Sequence, residues 1–277
     1  MIQIIKSTGE KEVFKPEKIK ATCLRIGTSE EVADKIAQMV ASKAHDGMTT
    51  KEIYGIVFDL LQKENPGLAS RYSLREALFR LGPAGFNFEF YIASVLKAYG
   101  YKTELPDILR GACIAHEVDV VAEKENRSFM VECKWRKEVS IFITAKDMLS
   151  TWARFLDLVD GAAIKLCPHF DELWIITNSR FSRDALQYAQ CKNIAVLSWD
   201  FPPDRPLPAW IDAKGLYPVT ALFKLGSESI PNFVKAGILL VRDLVEFSLD
   251  ELKQRTGLAE EVLQPLIEEA RGVLTLR

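Results

Sequence analysis

The chain has 277 residues, 48% of them hydrophobic and 27% charged, with a formal net charge of −2. That length allows two domains or three small ones, and so balanced a charge does not by itself call for a nucleic-acid or membrane partner. The cysteines at 23, 113, 133, 167 and 191 form no CxxC pair, which argues against a zinc ribbon or a disulfide framework and for reduced thiols in a cytoplasmic protein. The start, MIQIIKSTGEKEV, lacks the apolar core of a signal peptide, and no apolar run reaches membrane-spanning length, so no membrane partner is expected.

Residues 2–14, IQIIKSTGEKEVF, predict two short strands around a turn at Ser7, Thr8 and Gly9. Pro16 suits the first turn of a helix whose apolar side is Ile19, Cys23, Leu24 and Ile26. A second helix is expected over 30–44, with Val32, Ile36, Met39 and Val40 at helical spacing, ending near Asp46-Gly47. Thr49 and Glu52 form a capping box opening a helix that buries Ile53, Ile56, Val57, Leu60 and Leu61. Asn65-Pro66-Gly67 stops it, and one last helix runs to Leu81, completing a ββαααα module.

Through IIKSTGEKEVFKPEKI, MTTKEIYGIVFDLL and LASRYSLREAL the module resembles the ATP-cone, a nucleotide-sensing domain. The resemblance implies that Ile4, Lys6, Glu12, Lys18 and Thr50 hold an adenine nucleotide, ATP or dATP. It departs at Ser7, where the family usually has arginine. No GxxxxGK[ST] occurs anywhere, so the nucleotide is expected as effector and not as fuel.

From Gly85 helices and strands alternate, which predicts an α/β domain around a sheet. Asn87 caps a helix with the stripe Phe88, Ile92, Val95, Leu96 and Tyr99, and Glu89 lies in its first turn. A strand at 101–105 follows. Two apolar runs, Glu117–Ala122 and Ser128–Trp135, flank the charged break KEN and read as a hairpin. With the turn at Glu125-Asn126, Lys124 faces Arg127 and Asp119 falls opposite Glu132. Directly opposed side chains share a face with Cβ atoms roughly 4.5–5.5 Å apart. Two carboxylates so close repel unless a cation lies between them, which implies a metal site; Lys134 shares that face by alternation.

Asp119 followed by Glu132-Cys133-Lys134 resembles the PD-(D/E)xK nuclease superfamily, and HEVDVVAE with His116 looks like its Mrr-type restriction endonucleases. GFNFEFYIASVLKAYGY closely resembles the helix before the catalytic sheet of that group, where a glutamate completes the acidic cluster, a role Glu89 fits. The resemblance implies that Asp119, Glu132 and the Cys133 carbonyl bind Mg²⁺ or Mn²⁺. Lys134 then orients water or neutralises developing charge, and His116 either stands near the scissile phosphate or structures the hairpin. Beyond the hairpin, Thr144 caps a helix carrying Met148, Trp152, Phe155, Leu156 and Val159, and a strand, helix and strand follow, with Trp174–Ile176 and Ile194–Leu197 as buried runs.

Prolines at 202, 203, 206, 208 and 218 predict an irregular linker. After it, AGI, DLVEFSLDEL and TGLAEEV resemble part of a helix-hairpin-helix repeat, although Pro231-Asn232-Phe233 replaces the glycine turn that holds a DNA phosphate in that family. From Phe223 onward nine Asp and Glu face seven Lys and Arg, so protein contact is as reasonable there as DNA contact.

The expectation is a multidomain α and α/β protein: an ATP-cone at 1–83, a PD-(D/E)xK mixed-sheet nuclease core at 84–200, a linker at 201–222 and a helix-hairpin-helix-like helical module at 223–277. Its expected function is metal-dependent hydrolysis of nucleic acid, with double-stranded DNA as substrate, by a homo-oligomer under ATP or dATP control. The alternative is a non-catalytic nucleotide sensor that binds nucleic acid or acts as a scaffold.

Overall fold

In the computed structural model the N-terminal strands β1 (Gln3–Ile5) and β2 (Lys11–Val13) pair antiparallel, with Ile4 directly opposite Glu12. The described residues are 2–6, 8–81, 86–106, 108–138 and 140–275, with backbone alone at 86 and 87, so Ser7 lies outside them. Helix α1 (Pro16–Arg25) starts on its proline, and α2 (Glu30–Lys43) is capped by Ser29. Helix α3 (Thr50–Glu64) carries the expected capping box: Thr49 Oγ1 accepts from the Glu52 N–H, and Glu52 accepts from the Thr49 N–H. Cys23, Ile26, Val40, Val57 and Leu61 are fully buried between these helices. Leu24 and Met39 are exposed instead, because each sits one residue, about 100° around its helix, from a buried neighbour, Cys23 and Val40 respectively.

Asn65 ends α3 and begins the next helix, its Oδ1 accepting from the Gly67 N–H at 2.8 Å. The single last helix expected here is two, α4 (Pro66–Tyr72) and α5 (Leu74–Arg80). The break falls at Ser73, whose hydroxyl donates back to the Ser70 carbonyl and competes with the helical pattern.

Residues Leu81–Leu216 form a compact unit of their own. It begins with α6 (Phe86–Ala98), which buries Phe88, Tyr91, Ile92, Val95 and Leu96. Asn87 lies inside the first turn of α6, and its side chain, expected as the cap, is outside the described residues. Then come β3 (Lys102–Glu104), β4 (Ile108–Arg110), β5 (Ala115–Glu117), β6 (Val120–Lys124) and β7 (Arg127–Lys134). Helix α7 (Ala145–Ala163), β8 (Glu172–Thr177), α8 (Arg183–Lys192) and β9 (Ala195–Leu197) follow. The main sheet has five strands in the order β3-β6-β7-β8-β9, antiparallel up to β7 and parallel from there on.

The β6–β7 register is the expected one, Lys124 facing Arg127 and Val120 facing Val131. Glu125 and Asn126 both take positive φ, 52° and 60°, as a two-residue primed turn requires. The expected run Glu117–Ala122 is not one strand, however. Its first part belongs to β5, which pairs with β4 in a separate two-stranded sheet, and the chain bends at Asp119 before β6 begins. Helix α7 packs on the sheet face of Val121, Met130 and Ile175 through Met148, Phe155 and Leu158. Leu156, expected within that contact, is 44% exposed; Thr151 and Leu158 hold the buried stripe. Trp174 is half-buried, its ring 5.3 Å from that of Phe129 and 5.7 Å from that of Tyr101.

The expected linker is largely ordered structure. Helix α9 (Leu207–Lys214) begins after Pro206 and carries Pro208 in its first turn, where no intrahelical N–H is needed. It docks on α6: Tyr91 Oη donates to the Leu216 carbonyl, Tyr99 Oη to Trp210 and Lys214 Nζ to Ala98, each at 2.8 Å.

Met1–Arg80 and Tyr217–Arg277 together form the second compact unit, so the C-terminal helices and the N-terminal module fold as one body. These helices are α10 (Ile230–Lys235), α11 (Asp243–Glu246), α12 (Leu249–Thr256) and α13 (Glu260–Leu274). Gly237 and Gly257 take φ of 71° and 70° at the ends of α10 and α12, a left-handed conformation that glycine adopts without a Cβ clash. Arg80 donates to the carbonyls of Thr220 and Leu225, and Glu269 accepts from the backbone N–H groups of Phe223 and Lys224.

Candidate active site

The C-terminal end of β7 carries Glu132, Cys133 and Lys134, with β6 on one side and β8 on the other. Glu132 is only 2% exposed. Its Oε1 accepts from both Lys134 Nζ and Arg154 Nη2, while Oε2 is buried without a hydrogen-bond partner. A buried carboxylate left unpaired costs about 3–5 kcal/mol, so the two cations on Oε1 are what keep this one tolerable. Thr151 Oγ1, one turn before Arg154, is likewise buried and without a partner.

Asp119 follows the bend, and the register brings it toward Glu132. Its Oδ2 accepts from the Cys133 backbone N–H at 2.6 Å, which draws the acid onto the strand end. Burial, then repulsion from Glu132 and Glu89, pushes the Asp119 carboxyl up to about 7, while the Cys133 N–H and Lys134 pull the other way. The structure thus brings Asp119, Glu132, Lys134 and Glu89 into one electrostatic cluster. Burial, with the same three acids, raises the Cys133 thiol well above its ordinary value, and the one oxygen Cys133 offers is its backbone carbonyl.

His116 is placed differently. It lies on β5, and its Nε2 is 2.7 Å from Asp157 Oδ2 on α7. Asp157 also accepts from the N–H groups of Cys113 at 2.8 Å and Ile114 at 3.2 Å. These bonds hold its carboxyl well below the usual carboxylate range, with the Cys113 N–H as the largest cause. A Cβ on Gly111 would lie 2.2 Å from Asp157 Oδ2, so only glycine allows this approach.

Sequence reasoning missed Arg154, because its contact is made across elements. One signal was available: Asp147, Thr151, Arg154 and Leu158 follow each other at intervals of three or four along α7, so an arginine occupies the stripe turned toward the sheet.

A metal ion has a chemically suitable place here. Mg²⁺ and Mn²⁺ take oxygen ligands, and the unpartnered buried Oε2 of Glu132 beside the Asp119 carboxylate provides them. Among the described residues no group of three or more His, Cys, Asp and Glu side chains is arranged to hold a metal by itself. A hard cation bound by two carboxylates and a backbone carbonyl keeps water for the rest of its shell.

In the N-terminal module Lys6, Glu12 and Lys18 come together. Lys6 Nζ is 3.2 Å from Glu12 Oε2, and Lys18 bonds Glu12 Oε1. The Glu12 carboxyl is held below its ordinary value by Lys18 first and then Lys6. The Ile5 N–H donates to the Met48 carbonyl at 2.9 Å and a bridge joins Ile5 to Thr49, which ties β1 to the start of α3 beside Thr50.

Three domain families match the chain. An ATP cone domain covers residues 2–78, a restriction endonuclease domain of the Mrr catalytic family covers 83–200, and an AF1548-like C-terminal domain covers 217–274. An uncharacterized protein of Archaeoglobus fulgidus is 32% identical over 183 residues, spanning 66% of this chain and 99% of that protein. A crystal structure titled as the protein of unknown function AF1548 superposes with a TM-score of 0.60 at 32% identity, covering 68% of this chain and 96% of that one. No described helix is long and apolar enough to cross a membrane. The chain therefore belongs to the family of the Archaeoglobus fulgidus protein, and it carries an ATP cone, an Mrr-type restriction endonuclease domain and an AF1548-like C-terminal domain.

Proposed function

We propose that the protein is a divalent-metal-dependent endonuclease that cuts double-stranded DNA and is regulated by ATP or dATP at its cone. The observation that carries this reading is the unpartnered, buried Oε2 of Glu132 beside Asp119 and Lys134. A core carboxylate oxygen desolvated without a partner is costly, and that cost is expected where a ligand completes the site.

In this reading Asp119, Glu132 and the Cys133 carbonyl hold Mg²⁺ or Mn²⁺. The cation, when bound, supplies charge to the scissile phosphate and lowers the pKa of a water. Lys134, whose compact ammonium bonds Glu132, turns to orient the attacking water or to neutralise charge on the phosphate. Glu89 repels Asp119 and supports the metal or its water. His116 keeps the β4–β5 segment attached to α7 through Asp157. Lys6, Lys18, Glu12, Ile4 and Thr50 take the adenine nucleotide. The helix pairs turning at Gly237 and Gly257 act as a helix-hairpin-helix-like unit, built into the cone's body rather than held on DNA. Cutting both strands needs two acid sets, which favours a homo-oligomer.

Incubating the purified protein with plasmid DNA, Mg²⁺ or Mn²⁺, and ATP or dATP tests the reading. Nicked and linear products that vanish with EDTA are expected. Intact plasmid under every metal and nucleotide condition, with DNA still bound, would leave a non-catalytic sensor.

A further inference from the structure

Arg154 reaches both segments that carry the carboxylates. Its Nη2 bonds Glu132 Oε1, and its Nη1 donates to the Glu117 carbonyl at 3.2 Å, two residues before Asp119. The same Oε1 also takes Lys134, while Oε2 has no partner. A single lysine cannot both neutralise buried Glu132 and leave it to serve water or phosphate. A second cation that stays behind removes that conflict.

We propose that Arg154 is a positioning residue. Its guanidinium fixes the spacing of the Asp119 and Glu132 segments, aims Glu132 Oε2 at the metal, and holds the counter-charge on Glu132 while Lys134 moves. The inference rests on the metal-dependent reading above. The fork geometry is essential to it: two separate Nη groups bond two acceptors on different strands, which a single ammonium does not reproduce. The anchor is α7, where Arg154 lies between buried Thr151 and Leu158.

The test is Mn²⁺ titration calorimetry on the full-length protein without DNA, beside plasmid cleavage at graded Mn²⁺ and thermal melting. Arg154→Met is expected to weaken Mn²⁺ binding by about 10–100-fold, the range for residues that orient metal ligands. The Mn²⁺ needed for half-maximal cleavage should rise by the same factor, with part of the rate recovered at excess metal. Arg154→Lys, which keeps the charge and loses the fork, should fall between. Adding Glu132→Gln to Arg154→Met should recover Tm without recovering Mn²⁺ binding, because it removes the uncompensated charge and a ligand together. Wild-type Mn²⁺ affinity in Arg154→Met, or full rescue by Arg154→Lys, overturns the proposal. If Arg154→Met does not fold, the Arg154→Lys titration decides alone: weakened binding supports the role and wild-type binding overturns it. A wild-type protein that binds no Mn²⁺ overturns both this inference and the metal-dependent reading. One that binds Mn²⁺ but cuts nothing overturns only the nuclease reading, and the calorimetric comparison still judges Arg154.

Discussion

The guanidinium of Arg71, on α4 of the cone, donates through Nε and Nη2 to the carbonyl of Val273 near the end of α13, at 3.0 and 2.8 Å. Its Nη1 donates to the Ile26 carbonyl at 3.2 Å, and its Cζ lies 5.4 Å from the centre of the Tyr217 ring. One nearly buried cation thus joins the first and last parts of the chain within one unit.

Arg71→Met is therefore expected to destabilise that unit by about 1.5–3 kcal/mol, the scale of hydrogen bonds to a charged group, since two carbonyls lose their donor. Differential scanning calorimetry should show the transition of this unit moving down and that of the nuclease unit unchanged. A fragment ending at residue 83 keeps the Ile26 contact but lacks Val273, Tyr217 and the C-terminal helices, and should melt lower still, so nucleotide binding is best measured on the full chain. Equal melting of Arg71→Met and wild type would remove the clasp from the stability of the cone.

Asp119→Ala, Glu132→Ala and Lys134→Ala are each expected to abolish plasmid cleavage, measured by gel assay, while their effects on the fold differ. Asp119 sits in repulsion from Glu132 and Glu89, so its removal should leave the metal-free Tm unchanged or higher. Glu132 is the common acceptor for Lys134 and Arg154, so its loss leaves two cations facing each other and should lower Tm. Unimpaired cleavage in any variant removes that residue from the mechanism.

Lys6→Ala and Lys18→Ala should each weaken ATP or dATP binding roughly tenfold, as expected for one charge-assisted phosphate contact. Titrating ATP against dATP should change sedimentation and cleavage rate together, because a ligand shifts activity only by binding two states unequally. Lys6→Ala should flatten both responses. A protein that binds nucleotide while its cleavage and sedimentation stay constant would reduce the cone to a tether.

The Asp157 carboxyl is depressed, so the sign of its pH effect follows. Its contribution to stability is present above the ordinary carboxylate range and is lost as pH falls through the lower folded value. Asp157→Asn should lower Tm at pH 7, and the gap from wild type should close in acid. His116→Ala removes one of the three partners of Asp157 and should also lower Tm, with the metal dependence of cleavage retained at low temperature. A change in that metal dependence would place His116 at the reacting phosphate after all.

Local patterns determined much of this protein from the sequence by itself. The Thr49–Glu52 capping box, the stop at Asn65, the primed turn at Glu125–Asn126 and the register that follows from it depend on residues a few positions apart. Strand alternation then placed Glu132 and Lys134 on one face without reference to the rest of the fold. Tertiary structure decided the remainder. The chain bends at Asp119, whose carboxylate accepts from the Cys133 N–H, and β5 leaves the expected strand to pair with β4. Arg154 meets Glu132 across 22 residues, Asp157 meets Cys113 across 44, and Arg71 meets Val273 across 202. Such pairs leave no periodic trace, because the partner of a buried polar group is chosen by which elements pack against it and not by spacing along the chain.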